Sequence, residues 1–160
     1  MSKIAVTSAN CLSGDGKVFL GGSCNPTTWR RDVVVPALEA AGVGFFNPQI
    51  DDWSAEFEND VEKPAKQQAH ALLFVIDGQT RAVSSMVEVS AYMAAGREVY
   101  LVVQDIADGL EIRGQKITGR ELDDLNRGRE YVRSVAREFG YDIYEDSATA
   151  TAAIVSDYGR

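Results

Sequence analysis

Two continuous apolar segments, Ala71–Ile76 and Val99–Val103, constrain the fold of this 160-residue chain more than any other feature. Between them lie a polar loop and a segment, residues 82–95, whose apolar residues recur at helical spacing. Strands that are apolar at every position are typical of parallel sheets covered by helices on both faces. The pattern therefore predicts a β-loop-α-β unit.

Strand-like and helix-like segments alternate along the rest of the chain. The expected strands are residues 17–20, 44–47, 71–77, 99–103 and 141–144, and the expected helices are 28–41, 56–68, 82–95, 120–139 and 147–158. Residues 105–118 are expected to form a long irregular connection, and Pro36 to kink its helix or delay the helix start.

Alternation of this kind predicts one α/β domain over residues 1–160. We expect a doubly wound, Rossmann-like parallel sheet of about five strands in flavodoxin-like order. Residues 1–15 are polar and rich in small residues, and are expected to form a loose leader or an added edge strand.

Composition limits the class of function. The net charge of −8 argues against a protein that coats nucleic acid, and the basic residues within 113–120 and 127–137 are interleaved with acids, as on a solvated helix face. No apolar run approaches the roughly 20 residues that span a bilayer, and the N-terminus lacks the apolar core of a secretory signal. We therefore expect a cytoplasmic protein with neither a membrane nor a nucleic-acid partner.

The cysteines and the histidine offer little chemistry. Cys11 and Cys24 form no disulfide framework and no zinc-binding pair, and His70 is the only histidine. Cys24 would need a base beside it to act as a nucleophile, but His70 is placed at the opposite edge of the sheet, so a buried Cys24 is favoured. The acids show no metal-ligand spacing, and neither a metal nor a cofactor is expected.

Small and polar residues follow three of the predicted strands, at the sheet edge where open α/β folds bind ligands. The glycine turn has neither the dinucleotide fingerprint nor a P-loop lysine. Trp53 suits stacking on a planar ring but would also suit a core. The candidate binding residues at these strand ends are Gly21, Gly22, Ser23, Asn47, Asp51, Asp52, Trp53 and Asp77.

Glu88 is the residue on which the functional interpretation depends. It follows Ser84 and Ser85 on the same side of the predicted helix. A carboxylate on a sheet-packed helix is costly without a partner or a role, and a helix N-terminus with serine donors favours its ionised form. Such a carboxylate can capture a sugar carbon as an ester while a second carboxyl group protonates the leaving group.

Two other interpretations stay open on these residues alone. In the first, Glu88 is a half-exposed helix residue and the aspartates only cap loops. In the second, the chain is a nucleotide-binding or signalling domain without chemistry.

The ordered set VFLGGS, FNPQIDDW, ALLFVID and SSMVEVSAYMAAGREVYLVV resembles the nucleoside 2-deoxyribosyltransferases, especially their shorter, 2-deoxyribosyltransferase-like branch. The similarity covers residues 17–103, with a weaker match in ELDDLNRGREYV. It implies transfer of 2-deoxyribose between nucleobases through a covalent glycosyl-glutamate, in nucleotide salvage, with nucleosides and free nucleobases as the partners.

The resemblance also implies roles for individual residues. Glu88 would be the nucleophile, and Asp52, which directly precedes Trp53, would protonate the departing base. Asp77 would orient the sugar or the glutamate, although its spacing from Glu88 is longer than in the better-known bacterial enzymes.

Further implications concern the pocket and the assembly. Gly21 and Gly22 would line the base pocket, and a homo-oligomer with shared active sites is expected, with Asn126 as the residue borrowed from a neighbouring subunit. Ser84 and Ser85 also resemble the phosphate-binding serines of nucleoside 5′-monophosphate N-glycosidases, which hydrolyse the same bond.

Overall fold

A computed structural model of the protein describes residues 18–160, and the leader or edge strand expected over residues 1–15 lies outside the described residues. The strands are β1 (Val18–Gly22), β2 (Phe45–Phe46), β3 (Ala71–Ile76), β4 (Val99–Val103), β5 (Glu111–Ile112), β6 (Gln115–Lys116) and β7 (Ile143–Tyr144). Five of them form one parallel sheet in the order β2-β1-β3-β4-β7. This is the flavodoxin-like order, which confirms the prediction.

Helices cover both faces of the sheet. They are α1 (Val35–Ala40), α2 (Ala55–Phe57), α3 (Lys63–Gln68), α4 (Val83–Ala94), α5 (Gly119–Phe139) and α6 (Ser147–Tyr158). Side chains of α3, α4 and α5 pack in one apolar cluster, and those of α1 and α6 pack in a second one on the other face. Among residues 18–160, no helix combines the length and the apolar character needed to cross a bilayer.

The central strand β3 explains why its segment is apolar throughout. Leu72, Phe74 and Ile76 belong to one core cluster, whereas Leu73 and Val75 belong to the other. Since every residue of β3 is buried, an alternating pattern would place polar side chains in one of the two cores.

Each of the two helices that contain a proline is directly preceded by a π-helical turn. Arg30–Val34 precede α1 with Pro36, and Glu58–Glu62 join α2 to α3 with Pro64. A proline has no N–H and its ring crowds the carbonyl four residues earlier, whereas a π turn bonds five residues back. The helical path therefore continues through each proline, and the predicted kink or late start at Pro36 takes the form of a widened turn.

The connection after β4 is more ordered than the sequence predicts. β5 and β6 form an antiparallel hairpin whose two turn residues, Arg113 and Gly114, both have positive φ. This is the twist of a type I′ turn. Ile106, Ile112 and Ile117 fill a small apolar cluster beneath the hairpin. Two-residue strands are too short to show an alternating pattern.

Candidate functional site

Two adjoining cavities, of about 540 and 710 Å³, open at the carboxyl-terminal ends of β1 and β3. They form one continuous space, called the cleft below, because both are lined by Gly22, Cys24, Pro48, Trp53, Glu62, Val83, Ser84 and Ser85. Its position at the strand ends is where doubly wound sheets bind ligands, and its volume suits a small organic molecule.

The floor of the cleft depends on two glycines at the end of β1. A Cβ atom at Gly21 would lie 2.8 Å from the Phe74 ring, and one at Gly22 would lie 2.2 Å from the Val75 carbonyl oxygen. Gly22 also has φ of 105°, which favours glycine. The glycines therefore let β1 pack closely against β3.

Ser23 joins this floor to the loop after β3. Its Oγ accepts hydrogen bonds from the Asp77 backbone N–H at 3.1 Å and from the Thr80 hydroxyl at 2.7 Å. Asp77 is buried, and its carboxylate accepts from the Gln79 N–H at 3.0 Å. Asp77 thus holds the loop that places Thr80 against the cleft, but it does not line the cleft itself.

Two buried arginines hold the strand ends by donating to backbone carbonyl groups, and one of them, Arg30, also lines the larger cavity. Arg30 donates to the carbonyl oxygens of Leu20, Gly22 and Ser23, and burial lowers its pKa to about 10. Arg129 is equally buried, and burial lowers its pKa as well. It donates to the carbonyl oxygens of Asp77, Thr80, Arg81, Gln104 and Leu125. The predicted solvated face over residues 127–137 is therefore wrong for Arg129.

One wall of the cleft is a pair of bonded loops. The Asn47 carboxamide oxygen accepts from the Gln49 N–H at 3.0 Å, and Gln49 in turn donates to Asn25 at 2.8 Å. Asn25 precedes a cis peptide bond to Pro26. Asn47 shapes the turn and does not line the cleft.

The following residues of that loop, 51–53, are all exposed. Asp51 and Trp53 line the cleft, whereas Asp52 does not. Trp53 leaves 60% of its surface exposed, so its ring is available at the cleft mouth.

The opposite wall carries a carboxylate–lysine bridge formed by Glu62, Lys66 and Glu88. The Lys66 ammonium contacts a carboxylate oxygen of Glu88 and lies 3.3 Å from one of Glu62. Lys66 is almost fully buried, whereas the Glu88 side chain is 33% exposed, and all three residues line the larger cavity. The bridge therefore joins α3 to α4 and leaves Glu88 open to the cleft.

Burial acts differently on the members of the bridge. It raises the pKa of Glu62, an effect that Lys66 opposes and that Glu88 and Glu58 reinforce. For Lys66, burial lowers the pKa, but Glu88 and Glu62 together raise it more, so its pKa lies above the ordinary value. Lys66 is therefore protonated at neutral pH, and Glu62 retains its proton to higher pH than an exposed glutamate.

Ser84 and Ser85 line the cleft in the first turn of α4, ahead of Glu88. Arg113, at the tip of the β5–β6 hairpin, also lines it. Arg81 lies beside them and is paired with Glu121 at 2.9 Å. The hairpin was not predicted from the sequence, so the contribution of Arg113 was missed with it.

The remaining candidates lie elsewhere or differ from expectation. The Asn126 carboxamide accepts from the Ile106 N–H and donates to the Ile106 carbonyl, away from the cleft. Cys24 is exposed at the cleft, so the prediction of a buried cysteine is wrong, and His70 lies at the other end of β3. Within residues 18–160, no three His, Cys, Asp or Glu side chains form a metal-binding group.

The predicted site residues thus divide into two groups. Those that line the cleft are Gly21, Gly22, Ser23, Asp51, Trp53, Ser84, Ser85 and Glu88. Those that do not are Asn47, Asp52, Asp77 and Asn126. Glu62, Lys66 and Arg113 line the cleft without having been predicted.

Comparison with known proteins places the fold and the family. A search of curated protein sequences found no match. Among solved structures, the chain is similar to the TIR domains of the activated Roq1 resistosome directly recognizing the pathogen effector XopQ, with a TM-score of 0.52 and 17% identity over 89% of this chain and 98% of that one. At that identity the likeness concerns the fold alone. The sequence model of the family described as "Nucleoside 2-deoxyribosyltransferase like" matches residues 15–106, more than half of the chain. The chain therefore belongs to the nucleoside 2-deoxyribosyltransferase-like family.

Proposed function

We propose that this protein cleaves the N-glycosidic bond of 2′-deoxynucleosides and transfers the 2-deoxyribose to a second nucleobase. The observation that carries the proposal is the Glu88 carboxylate, which opens into the cleft and is bridged through Lys66 to a second carboxyl group, Glu62. Membership of the family supports glycosyl-transferring or glycosyl-cleaving chemistry in general.

In the first half of the reaction, a Glu88 oxygen attacks C1′ of the sugar. The bond from C1′ to the base nitrogen breaks, its electron pair passes to the base, and the base accepts a proton from an acid in the cleft. Because Oε1 of Glu88 contacts Lys66, we assign the attack to Oε2. In the second half, a nitrogen of the incoming base attacks C1′ and passes its proton to the deprotonated acid of the first half, the ester bond breaks with its electron pair going to the Glu88 oxygen, and both carboxyl groups return to their starting states.

The proton donor expected from the sequence is Asp52, but Glu62 is better placed. Glu62 lines both parts of the cleft, and its pKa is raised mainly by burial, as a general acid requires. Both Glu62 and Glu88 contact the same ammonium, which is compatible with the separation of about 5 Å between the two carboxyl groups of retaining glycosidases. We therefore assign proton donation to Glu62 and keep Asp52 as the competing candidate.

The residues that contact the base are assigned from the lining of the cleft. We assign the base to the side formed by Gly21, Gly22 and Ser23, with the exposed Trp53 ring stacking on it and Asp51 beside it. Asp77 acts indirectly, because it orders the loop that carries Thr80.

A second candidate function is hydrolysis of nucleoside 5′-monophosphates. Ser84, Ser85 and Arg113 line the same part of the cleft at the beginning of α4, and hydroxyl, guanidinium and helix N-terminal groups favour a phosphate. This function requires a 5′-phosphate on the substrate and water as the acceptor.

We also propose a homo-oligomer in which a neighbouring subunit completes the cleft. Three large apolar side chains at the cleft, Trp53, Val83 and Val87, are 60%, 53% and 69% exposed. Light scattering at several protein concentrations tests this assembly, and a monomer with full activity would contradict it.

The reaction is tested by incubating the protein with deoxyinosine and adenine and separating the products by chromatography. We expect deoxyadenosine and hypoxanthine from the wild type and loss of both in Glu88→Ala. Free base formed only from deoxyinosine 5′-monophosphate would favour the hydrolase. Thermal stabilisation by nucleosides without any product would indicate a binding domain. Exchange at the wild-type rate in Glu88→Ala would exclude Glu88 as the nucleophile.

A further inference from the structure

Lys66 is a buried cation in the wall of the cleft. Glu62 lies one helical turn before it, and Glu88 reaches it from α4. Its ammonium also lies 5.2 Å from the centre of the Phe19 ring, so aromatic surface and two carboxyl groups surround the charge. Such an arrangement costs desolvation energy, and removal of one member leaves the others uncompensated.

We propose that Lys66 is a positioning residue that controls how fast the glycosyl ester on Glu88 is broken relative to how fast it forms. This inference rests on the proposed function, because it presumes that Glu88 carries the sugar. Lys66 acts through Glu88 and does not need to touch the substrate.

The charge on Glu88 changes during the reaction. In the free enzyme Glu88 is a carboxylate in contact with the ammonium. When its Oε2 bonds to C1′, Glu88 becomes a neutral ester, and the anionic partner of Lys66 is then Glu62, which has given its proton to the departing base. When the acceptor attacks C1′, the bond from C1′ to Oε2 of Glu88 breaks and its electron pair returns to the carboxylate, whose Oε1 contacts the ammonium. Lys66 therefore stabilises the carboxylate relative to the ester.

The backbone of the helix end that carries Lys66 is held by Arg97. The Arg97 guanidinium donates to the carbonyl oxygens of Lys66 and Ala69 at 2.8 and 3.0 Å, which fixes the end of α3 against the turn before β4. The Lys66 side chain is only 4% exposed, so packing around it limits movement of the ammonium. When the ester forms at Oε2, Oε1 of Glu88 changes from a carboxylate oxygen to a neutral ester carbonyl, and its hydrogen bond from the ammonium weakens. Loss of the charge assistance in such a hydrogen bond changes an equilibrium by about 10- to 100-fold.

The test measures both halves of the reaction in Lys66→Met, Lys66→Gln and Lys66→Arg. Rapid quenching after mixing with deoxyinosine, followed by intact-protein mass spectrometry, gives the fraction of protein that carries deoxyribose. Chromatography gives the rates of hypoxanthine release and of transfer to adenine. Lys63→Met is the matched control, because Lys63 is an exposed lysine three residues earlier on the same helix. Circular dichroism identifies which variants are folded.

We expect the glycosylated fraction to rise in Lys66→Met and Lys66→Gln, and transfer to adenine to slow by about 10- to 100-fold relative to ester formation. Lys66→Arg should restore much of the transfer rate, and Lys63→Met should match the wild type. If Lys66→Met does not fold, the ratio of the two rates in Lys66→Gln decides. Equal slowing of both halves with an unchanged glycosylated fraction would show a merely structural lysine and overturn the inference.

The two proposals fail in different ways. A wild-type protein that forms neither exchange product nor glycosylated protein would contradict the proposed function. A wild type that exchanges bases, with Lys66 variants that keep the wild-type ratio of rates, would contradict the role of Lys66 alone.

Discussion

The Oγ of Ser23 accepts a hydrogen bond from the backbone N–H of Asp77 at 3.1 Å and thereby ties the end of β1 to the end of β3. Both residues are buried, so this contact satisfies a main-chain donor that water cannot reach. It lies beneath the cleft and, together with the bonds from Arg129 to Asp77 and Thr80, holds the loop after β3.

Replacement of Ser23 by alanine should therefore lower the free energy of unfolding by about 1–3 kcal/mol, because the Asp77 N–H loses its acceptor. Urea denaturation measures the change. The control is Ser134→Ala, at an exposed position of α5, which should change stability by less than about 0.5 kcal/mol. Equal stability of Ser23→Ala and the wild type would show that another acceptor replaces the hydroxyl.

Gly22→Ala should lower the free energy of unfolding by more than the strain of its positive φ alone would. The added Cβ would meet the Val75 carbonyl oxygen, and neither strand can move without separating β1 from β3. We expect a loss of about 3 kcal/mol or more, measured by urea denaturation. Gly140→Ala is the matched control, because Gly140 also has positive φ but open space around its Cβ, and should cost about 1–2 kcal/mol. Similar losses in the two variants would contradict a steric role for Gly22.

The assignment of Glu62 as the acid predicts a pH dependence of kcat/KM. Its pKa is raised above the ordinary 4.5, so the protonated form persists above that pH and activity should fall as pH rises through the raised value. Glu62→Gln should remove this fall and lower the rate on deoxyinosine by about 10²–10⁴-fold.

A substrate with a cationic leaving base distinguishes loss of proton donation by Glu62 from a general structural effect of its replacement. The base of 7-methyl-2′-deoxyguanosine departs without protonation, so its release should be nearly unchanged in Glu62→Gln. The same measurements on Asp52→Asn compare the two candidates. An identical loss on both substrates in Glu62→Gln would argue against proton donation by Glu62.

The Tyr100 hydroxyl donates to the Asp157 carboxylate, and this pair predicts a loss of stability at alkaline pH. Burial raises the pKa of Tyr100 above its ordinary 10.0, and the bond to Asp157 raises it further. The unfolded chain therefore releases this proton first, so the stability contributed by the pair is complete below pH 10 and declines as pH rises beyond it.

Between that pH and the folded-state pKa, Tyr100 should contribute a decline of up to about 1.4 kcal/mol per pH unit. Denaturant titrations of the wild type and Tyr100→Phe from pH 8 to about 11 measure it as the difference between the two slopes. The comparison is needed because Tyr92, Tyr141, Tyr144 and Tyr158 also have raised pKa values. Parallel slopes would contradict the assignment to Tyr100.

The sheet could be predicted from the sequence because its central strands are continuous apolar segments, in which every residue supports the same assignment. A run such as β3, buried on both faces, leaves few alternatives to a central parallel strand. The same reasoning placed Ser84, Ser85 and Glu88 on one side of α4, since regular helical spacing determines which residues share a face.

The partner of Glu88 could not be predicted in this way. Glu62 and Lys66 lie on either side of the boundary between the π turn and α3, and a wider turn changes the angular position of every later residue relative to a regular helix. Because the residues of this segment do not follow regular helical spacing, the side chains that share one face of the helix could not be identified. For the same reason, nothing in the loop distinguished Asp51, which lines the cleft, from its neighbour Asp52.

Buried arginines escaped prediction for a different reason. The sequence around Arg129 alternates acids and bases, and only the three-dimensional arrangement brings five carbonyl groups around its guanidinium. The sequence shows that an arginine is charged, but it does not show which backbone carbonyl groups will surround the guanidinium and compensate its burial.

Arg129 also bears on where the essential part of this protein ends. The family similarity stops at residue 106, yet the side chain that fixes Asp77 and Thr80 comes from the long helix that follows. A fragment trimmed to the region of family similarity would retain every proposed reacting group but would lose the hydrogen bonds from Arg129 to Asp77 and Thr80. The C-terminal third of the chain thus contributes to the shape of the cleft, although no reacting atom is assigned to it.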